Sequence, residues 1–164
     1  MADILIPDPS VIVLIGPAGS GKTTLAARHF AAAELLSSDA LRARIAGDER
    51  DQRATGAAFR AIGVALERRL AADLLTVIDA TNLRPADRRP WLAAARRHHV
   101  PAIAIVVDLP EGLVQSQNAG RDRVVDAEVV DRHLALLRRT IERADLEREG
   151  WDAVVRLRSA TDVR

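Results

Sequence analysis

The chain has 164 residues, 48% of them hydrophobic and 29% charged, with a formal net charge of +1 and no cysteine. That length fits one domain over residues 1–164, and the missing thiols exclude disulfides, thiolate nucleophiles and cysteine-ligated zinc or iron–sulfur centres. The near-neutral charge is not that of a general polyanion binder. No apolar run approaches the roughly 20 residues of a membrane-spanning helix, and the start Met1-Ala2-Asp3-Ile4 lacks the basic stretch of a secretory signal, so a cytoplasmic protein is expected.

In chain order, Val11-Ile12-Val13-Leu14-Ile15 is a short β-branched run ended by Gly16, the pattern of a fully buried strand. After a glycine-rich turn, residues 22 to about 33 read as an alanine-rich helix, and Leu35-Leu36-Ser37 as a second strand closing at Ser38-Asp39. A brief helix is expected over 40–46, then a polar loop over 47–52. From 54 to 73, Phe59, Ile62, Leu66 and Leu70 recur at helical spacing. Residues 74–78 form a third strand running into Asp79-Ala80-Thr81-Asn82. Pro85 opens another helix in its first turn, where a missing N–H costs nothing, and this helix reaches about residue 98. Residues 102–107 are the fourth and most continuous apolar strand. Helix then dominates from 110 to 149, broken near Gly120-Arg121-Asp122-Arg123, with Val130, Leu134, Leu137, Ile141 and Ala144 as the buried stripe of its second half. Residues 153–157 offer a fifth strand. Apolar rather than alternating strands, each followed by helix, predict a parallel sheet covered on both faces.

The basic residues are 23 arginines and a single lysine, Lys22. That lysine lies in Gly16-Pro17-Ala18-Gly19-Ser20-Gly21-Lys22-Thr23, a complete G-x-x-x-x-G-K-[ST] phosphate loop between a predicted strand and a predicted helix. Backbone N–H groups converging on phosphate oxygens require glycine where a Cβ would clash, and the helix start adds its dipole and unpaired N–H groups. Triphosphate contacts are expected from Gly16, Ala18, Gly19, Ser20, Gly21, Lys22, Thr23 and Thr24. Lys22 reaches the β and γ oxygens as a compact cation where arginine's planar fork does not fit, and the Thr23 hydroxyl ligates Mg²⁺ directly.

Ligands of such sheets bind beyond the carboxyl ends of the strands, where Asp39 and Asp79 fall. A GTPase would need a second lysine for its guanine motif, and an AAA-type ATPase is usually longer and ends its third strand in an acidic pair. Small size and an aspartate after the second strand suit a kinase. Asp39 either accepts the proton of an attacking hydroxyl or caps the following helix, a task open equally to Ser37 and Ser38. Arg42, on the same helical face, pairs with Asp39 or grips an acceptor phosphate. Asp79 holds Mg²⁺ through water, anchors Arg42, or simply ends a strand. Arg121 and Arg123 are lid arginines over the transferred phosphoryl group or two of many arginines in a polar loop. The resulting expectation is an α/β, three-layer α/β/α P-loop kinase fold, with a central five-stranded, mainly parallel sheet and a helical lid at about 112–128.

The phosphate loop through Thr24, Ser37-Ser38-Asp39-x-x-Arg42, Asp51-Gln52, Asp79-Ala80-Thr81-Asn82 and Glu147-Arg148-Glu149-Gly150-Trp151 together resemble the polynucleotide 5′-kinase domains of bacterial polynucleotide kinase-phosphatases, from about residue 11 to 158. The resemblance implies transfer of the γ-phosphate of ATP or another NTP, with Mg²⁺, to a 5′-OH end of RNA or DNA in nucleic acid repair. It implies catalytic roles for Lys22, Asp39, Arg42, Arg121 and Arg123, with acceptor contacts from Asp39, Arg42, Gln52, Asp79 and Asn82. Asp39 and Asp79 would touch the metal through water, and phosphatase or ligase domains would act as partners. Where relatives often carry an arginine four residues before the lid arginine, this chain has Gln117. With two phenylalanines, two tryptophans and no tyrosine, base-stacking surfaces are scarce, so strand contact is expected at the last one or two nucleotides. Trp91 and Trp151 are expected at the edge of the core. Two other functions fit the same motifs: a small-molecule kinase resembling gluconate, shikimate or antibiotic kinases, and a nucleotide-binding module without transfer activity.

Overall fold

The computed structural model describes residues 4–47 and 54–163. Five strands form one parallel sheet: β1 (Val11–Ile15), β2 (Leu35–Ser37), β3 (Thr76–Asp79), β4 (Ala102–Val107) and β5 (Ala153–Leu157), in the spatial order β2-β3-β1-β4-β5. Around them lie α1 (Lys22–His29), α2 (Ser38–Ala46), α3 (Thr55–Ala71), α4 (Pro85–Arg97), α5 (Glu111–Ala119), α6 (Ala127–Glu142), α7 (Asp145–Glu149) and α8 (Ala160–Val163). β1, β3 and β4 are buried at every residue, as continuous apolar strands covered on both faces should be.

Successive β1 side chains point to opposite faces and therefore join two separate cores. Val11, Val13 and Ile15 pack with Ile62, Leu66 and Leu70 of α3 and with Trp91 of α4. Ile12 and Leu14 pack instead with Leu25 of α1, Val114 of α5, and Val130 and Leu134 of α6. The three layers follow from that alternation. Trp91 is almost fully buried and stacks on Phe59, ring centroids 6.0 Å apart, while Trp151 packs partly buried against the same core.

Several element boundaries differ from the sequence reading, three of them for a plain local reason. The first helix ends at His29 because Phe30 turns extended and packs into the second core, leaving a 3₁₀ turn at Ala32–Glu34. The third strand begins at Thr76 rather than Leu74: Asp73 adopts φ 54°, and Leu74 N–H returns to Arg69 O. Leu74 is left 45% exposed. The last long helical region breaks twice, the second time at Ala144, whose φ of 52° ends α6. Ala144 is thus exposed rather than part of the stripe. Thr140 takes the buried place, its hydroxyl donating to Leu83 O at 3.0 Å. The short α8 had no counterpart in the sequence reading.

Candidate active site

β1 runs straight into the phosphate loop. Gly16 N–H is held by Thr81 O at 3.0 Å, which ties the loop to the segment after β3. Gly19 and Gly21 have φ of 81° and 91°, a region that costs an L side chain energy. A Cβ on Gly19 would also stand 2.9 Å from the Asn118 Cβ of α5, so this glycine is what lets α5 close on the loop. Asn118 is itself buried, and its amide seals the following loop: Nδ2 donates to Val125 O at 2.7 Å and Oδ1 accepts from Val125 N–H at 3.0 Å.

Above the loop opens a cavity of about 1000 Å³. It lies over the carboxyl ends of β1, β2 and β3, beside the point where strand order reverses. Ala18, Gly19, Gly21, Lys22, Thr23 and Thr24 of the loop line it. Asp39, Arg42, Asp79, Arg121 and Arg123 line it too, converging from α2, β3 and the connection between α5 and α6. Gly16 and Ser20 are not part of the lining: Gly16 N–H is taken by Thr81 O, and Ser20 is wholly buried with its hydroxyl donating to Pro17 O at 2.8 Å.

Lys22 folds back on the loop, Nζ donating to Pro17 O at 2.7 Å. Burial lowers its pKa to about 8 against the pull of Asp79 and Asp39. Asp79 is pushed the other way: burial raises its pKa, and Lys22 and the Thr23 hydroxyl oppose the rise. Thr23 Oγ1 donates to Asp79 Oδ2 at 3.0 Å. A hydroxyl and a carboxylate held together beside a phosphate loop are the hard oxygen donors Mg²⁺ prefers. Among the described residues no group of three His, Cys, Asp or Glu side chains forms a metal cage.

Asp39 stands in the first turn of α2 with its side chain 43% exposed. The cap of that helix is Ser37, whose hydroxyl accepts from Ala40 N–H at 3.3 Å, so the capping task does not fall on Asp39. Its carboxylate instead pairs with the buried Arg42 and, at 3.4 Å, with Arg123 Nη1. That carboxylate shares a cavity with the loop lysine.

Among the expected acceptor contacts, one is elsewhere. Asn82 does not face the cavity. It is fully buried, with Nδ2 donating to Leu14 O at 2.8 Å and Oδ1 accepting from Trp91 Nε1 at 3.0 Å. Its φ of 48° explains the residue type, since asparagine tolerates the left-handed region. Gln52 lies outside the described residues. Gln117, in the place of an expected lid arginine, lines the cavity with its Oε1 buried and unpaired.

The structure also adds residues that spacing alone does not expose. His133 of α6 lines the cavity, its Nδ1 accepting from Ala18 N–H at 3.3 Å. Its only trace in the sequence is a position one residue before Leu134 of the apolar stripe. Phe59, read as a core residue, also reaches the cavity wall.

A family model described as an AAA domain matches residues 11–144. The chain belongs to the AAA domain family. It is a P-loop kinase-like domain, in line with the kinase-type domain expected from the sequence. Among curated proteins none matches significantly. Among solved structures this AAA domain resembles the Pnkp1/Rnl/Hen1 RNA repair complex, with 19% identity and a TM-score of 0.69 over 85% of this chain and 47% of that one. It resembles a gluconokinase from Sinorhizobium meliloti 1021, with 19% identity and a TM-score of 0.61 over 94% and 85%. It also resembles shikimate kinase from Acinetobacter baumannii in complex with shikimate, with 20% identity and a TM-score of 0.58 over 94% and 87%. The AAA domain thus has the α/β P-loop kinase fold, built to hold a nucleotide.

Proposed function

We propose that the chain is a polynucleotide 5′-hydroxyl kinase, which transfers the γ-phosphoryl group of ATP or another NTP to a 5′-OH end of RNA or DNA in nucleic acid repair. The observation that carries this reading is Asp39: a half-exposed carboxylate, relieved of capping by Ser37, opening on the cavity that Lys22 and Thr23 line. The acceptor oxygen attacks the γ-phosphorus, the bond to the bridging β–γ oxygen breaks, and the acceptor proton passes to Asp39 as ADP leaves. Lys22, Arg121 and Arg123 supply positive charge around the transferring group. Thr23 and Asp79, with Asp39 nearby, would hold Mg²⁺, which would supply charge neutralisation to the triphosphate.

A strand end is supported by two residues of the cavity lining, Arg42 and Phe59. Arg42 beside Asp39 offers a guanidinium to a nucleotide phosphate, and Phe59, braced by Trp91, offers one aromatic face to a terminal base. The RNA repair complex among the structural neighbours supports the same reading. The gluconokinase and shikimate kinase, which cover more of the chain, make a small polar acceptor the competing one. Radiolabelled ATP offered with a 5′-OH oligonucleotide, gluconate and shikimate separates the two. Label is expected in the oligonucleotide, and label entering only the small acceptors would overturn the proposal. ATP binding with no transfer to any acceptor would leave a nucleotide-binding module.

A further inference from the structure

His133 belongs to the helix after the lid connection, far in sequence from the phosphate loop, yet it contacts a loop N–H directly. The bond fixes the state of the ring. Nδ1 is the acceptor, so in the neutral ring the proton sits on Nε2. An imidazolium would set Nδ1–H against the Ala18 N–H, donor against donor. The surroundings agree: burial, then the charges of Lys22 on α1, Arg132 on α6 and Arg84 before α4, lower the His133 pKa to about 4. The ring is therefore a neutral donor at ordinary pH, and it lines the same cavity as Lys22, Asp39, Arg121 and Arg123. Ala18, whose N–H holds the ring, belongs to the loop that leads into Lys22, the residue that serves the β and γ oxygens in such loops, which puts His133 at the phosphate end of the cavity.

We propose that His133 is a phosphate-contact residue of this site, its Nδ1 anchored by Ala18 N–H and its Nε2–H donating to an oxygen of the terminal phosphoryl group of the bound triphosphate. The proposal rests on the nucleoside triphosphate reading of the cavity. A neutral donor at this place strengthens the hold on a third phosphate without adding a cation that would tighten ADP equally. It also ties α6, and with it the lid connection, to whether a third phosphate is present.

The test uses the full chain labelled with ¹⁵N-histidine, with His29, His98 and His99 as internal references. In the free protein one ring is expected with Nδ1 unprotonated and Nε2 protonated from pH 5.5 to 8. A non-hydrolysable ATP analogue should move its Nε2–H resonance, and ADP should not. In parallel, His133→Leu should weaken binding of the ATP analogue about tenfold, the scale of one hydrogen bond to a charged group, and ADP binding less than twofold. His133→Gln keeps an acceptor and a donor and should restore most of the loss. Equal losses for the analogue and ADP in His133→Leu, a failure of His133→Gln to rescue, or a protonated Nδ1 in the free protein would each overturn the proposal. Wild-type protein binding neither nucleotide would overturn it together with the triphosphate reading, whereas ADP and analogue binding unaffected by His133→Leu would overturn it alone.

Discussion

Asp39 and Lys22 show how a few side chains acquire roles from their surroundings. Asp39 carries two arginine partners and no capping duty, so Asp39→Asn is expected to lower turnover by about 10²–10⁴, the usual worth of a general base. ATP binding, measured by calorimetry, should survive that change. Lys22 begins from a pKa of about 8 in the free protein because burial disfavours its charge. ATP affinity should therefore fall as pH rises past about 8, where the empty site loses its cation, and Lys22→Ala should be weak and flat over the same range. The lysine, both aspartates and the arginines were legible in the sequence because motif spacing and strand ends pick them out. Asn82 was misread because its neighbours in sequence face the cavity while its own amide is claimed by Leu14 and Trp91. His133 was illegible because its partner is a backbone N–H 115 residues away.

Between elements, the segment after β3 is held by a buried polar network. Arg88 of α4 is fully buried, donating Nη1 to Asn82 O at 2.9 Å and Nε to Glu149 Oε2 of α7 at 2.9 Å. Removing one member of a buried ion pair strands the other charge. Arg88→Met should cost about 3–5 kcal/mol in urea unfolding, and the double change Arg88→Met with Glu149→Leu should recover much of it. Recovery failing would mean that the Asn82 contact, not the ion pair, dominates. Such pairings explain which boundaries the sequence disclosed. β1, β4 and β5 were readable to the residue because their apolar runs end at turn formers. The stops at Phe30, Leu74 and Ala144 depend on tertiary packing and on left-handed residues that no composition signal announces.

At the scale of the whole molecule, the architecture was legible because a parallel sheet leaves few ways to alternate apolar strands with helices. The folded state also carries a pH signature. His133 is held near a pKa of about 4 against 6.5 for an ordinary histidine, so between those values the unfolded chain binds the proton that the folded one refuses. The His133 contribution to stability is thus whole above about pH 6.5 and is lost as pH falls toward 4. Urea midpoints at pH 7 and pH 5 should differ more for the wild type than for His133→Gln, which has no ring to protonate. The Asn118 clasp bears on how this scaffold could diversify. Because Asn118 grips Val125 through both amide atoms and rests on Gly19, residues 119–124 form a self-closed cassette on a fixed mount. Chemists wishing to retune acceptor preference can rewrite that cassette around Arg121 and Arg123, while those two arginines, the sheet and its glycine turn go untouched.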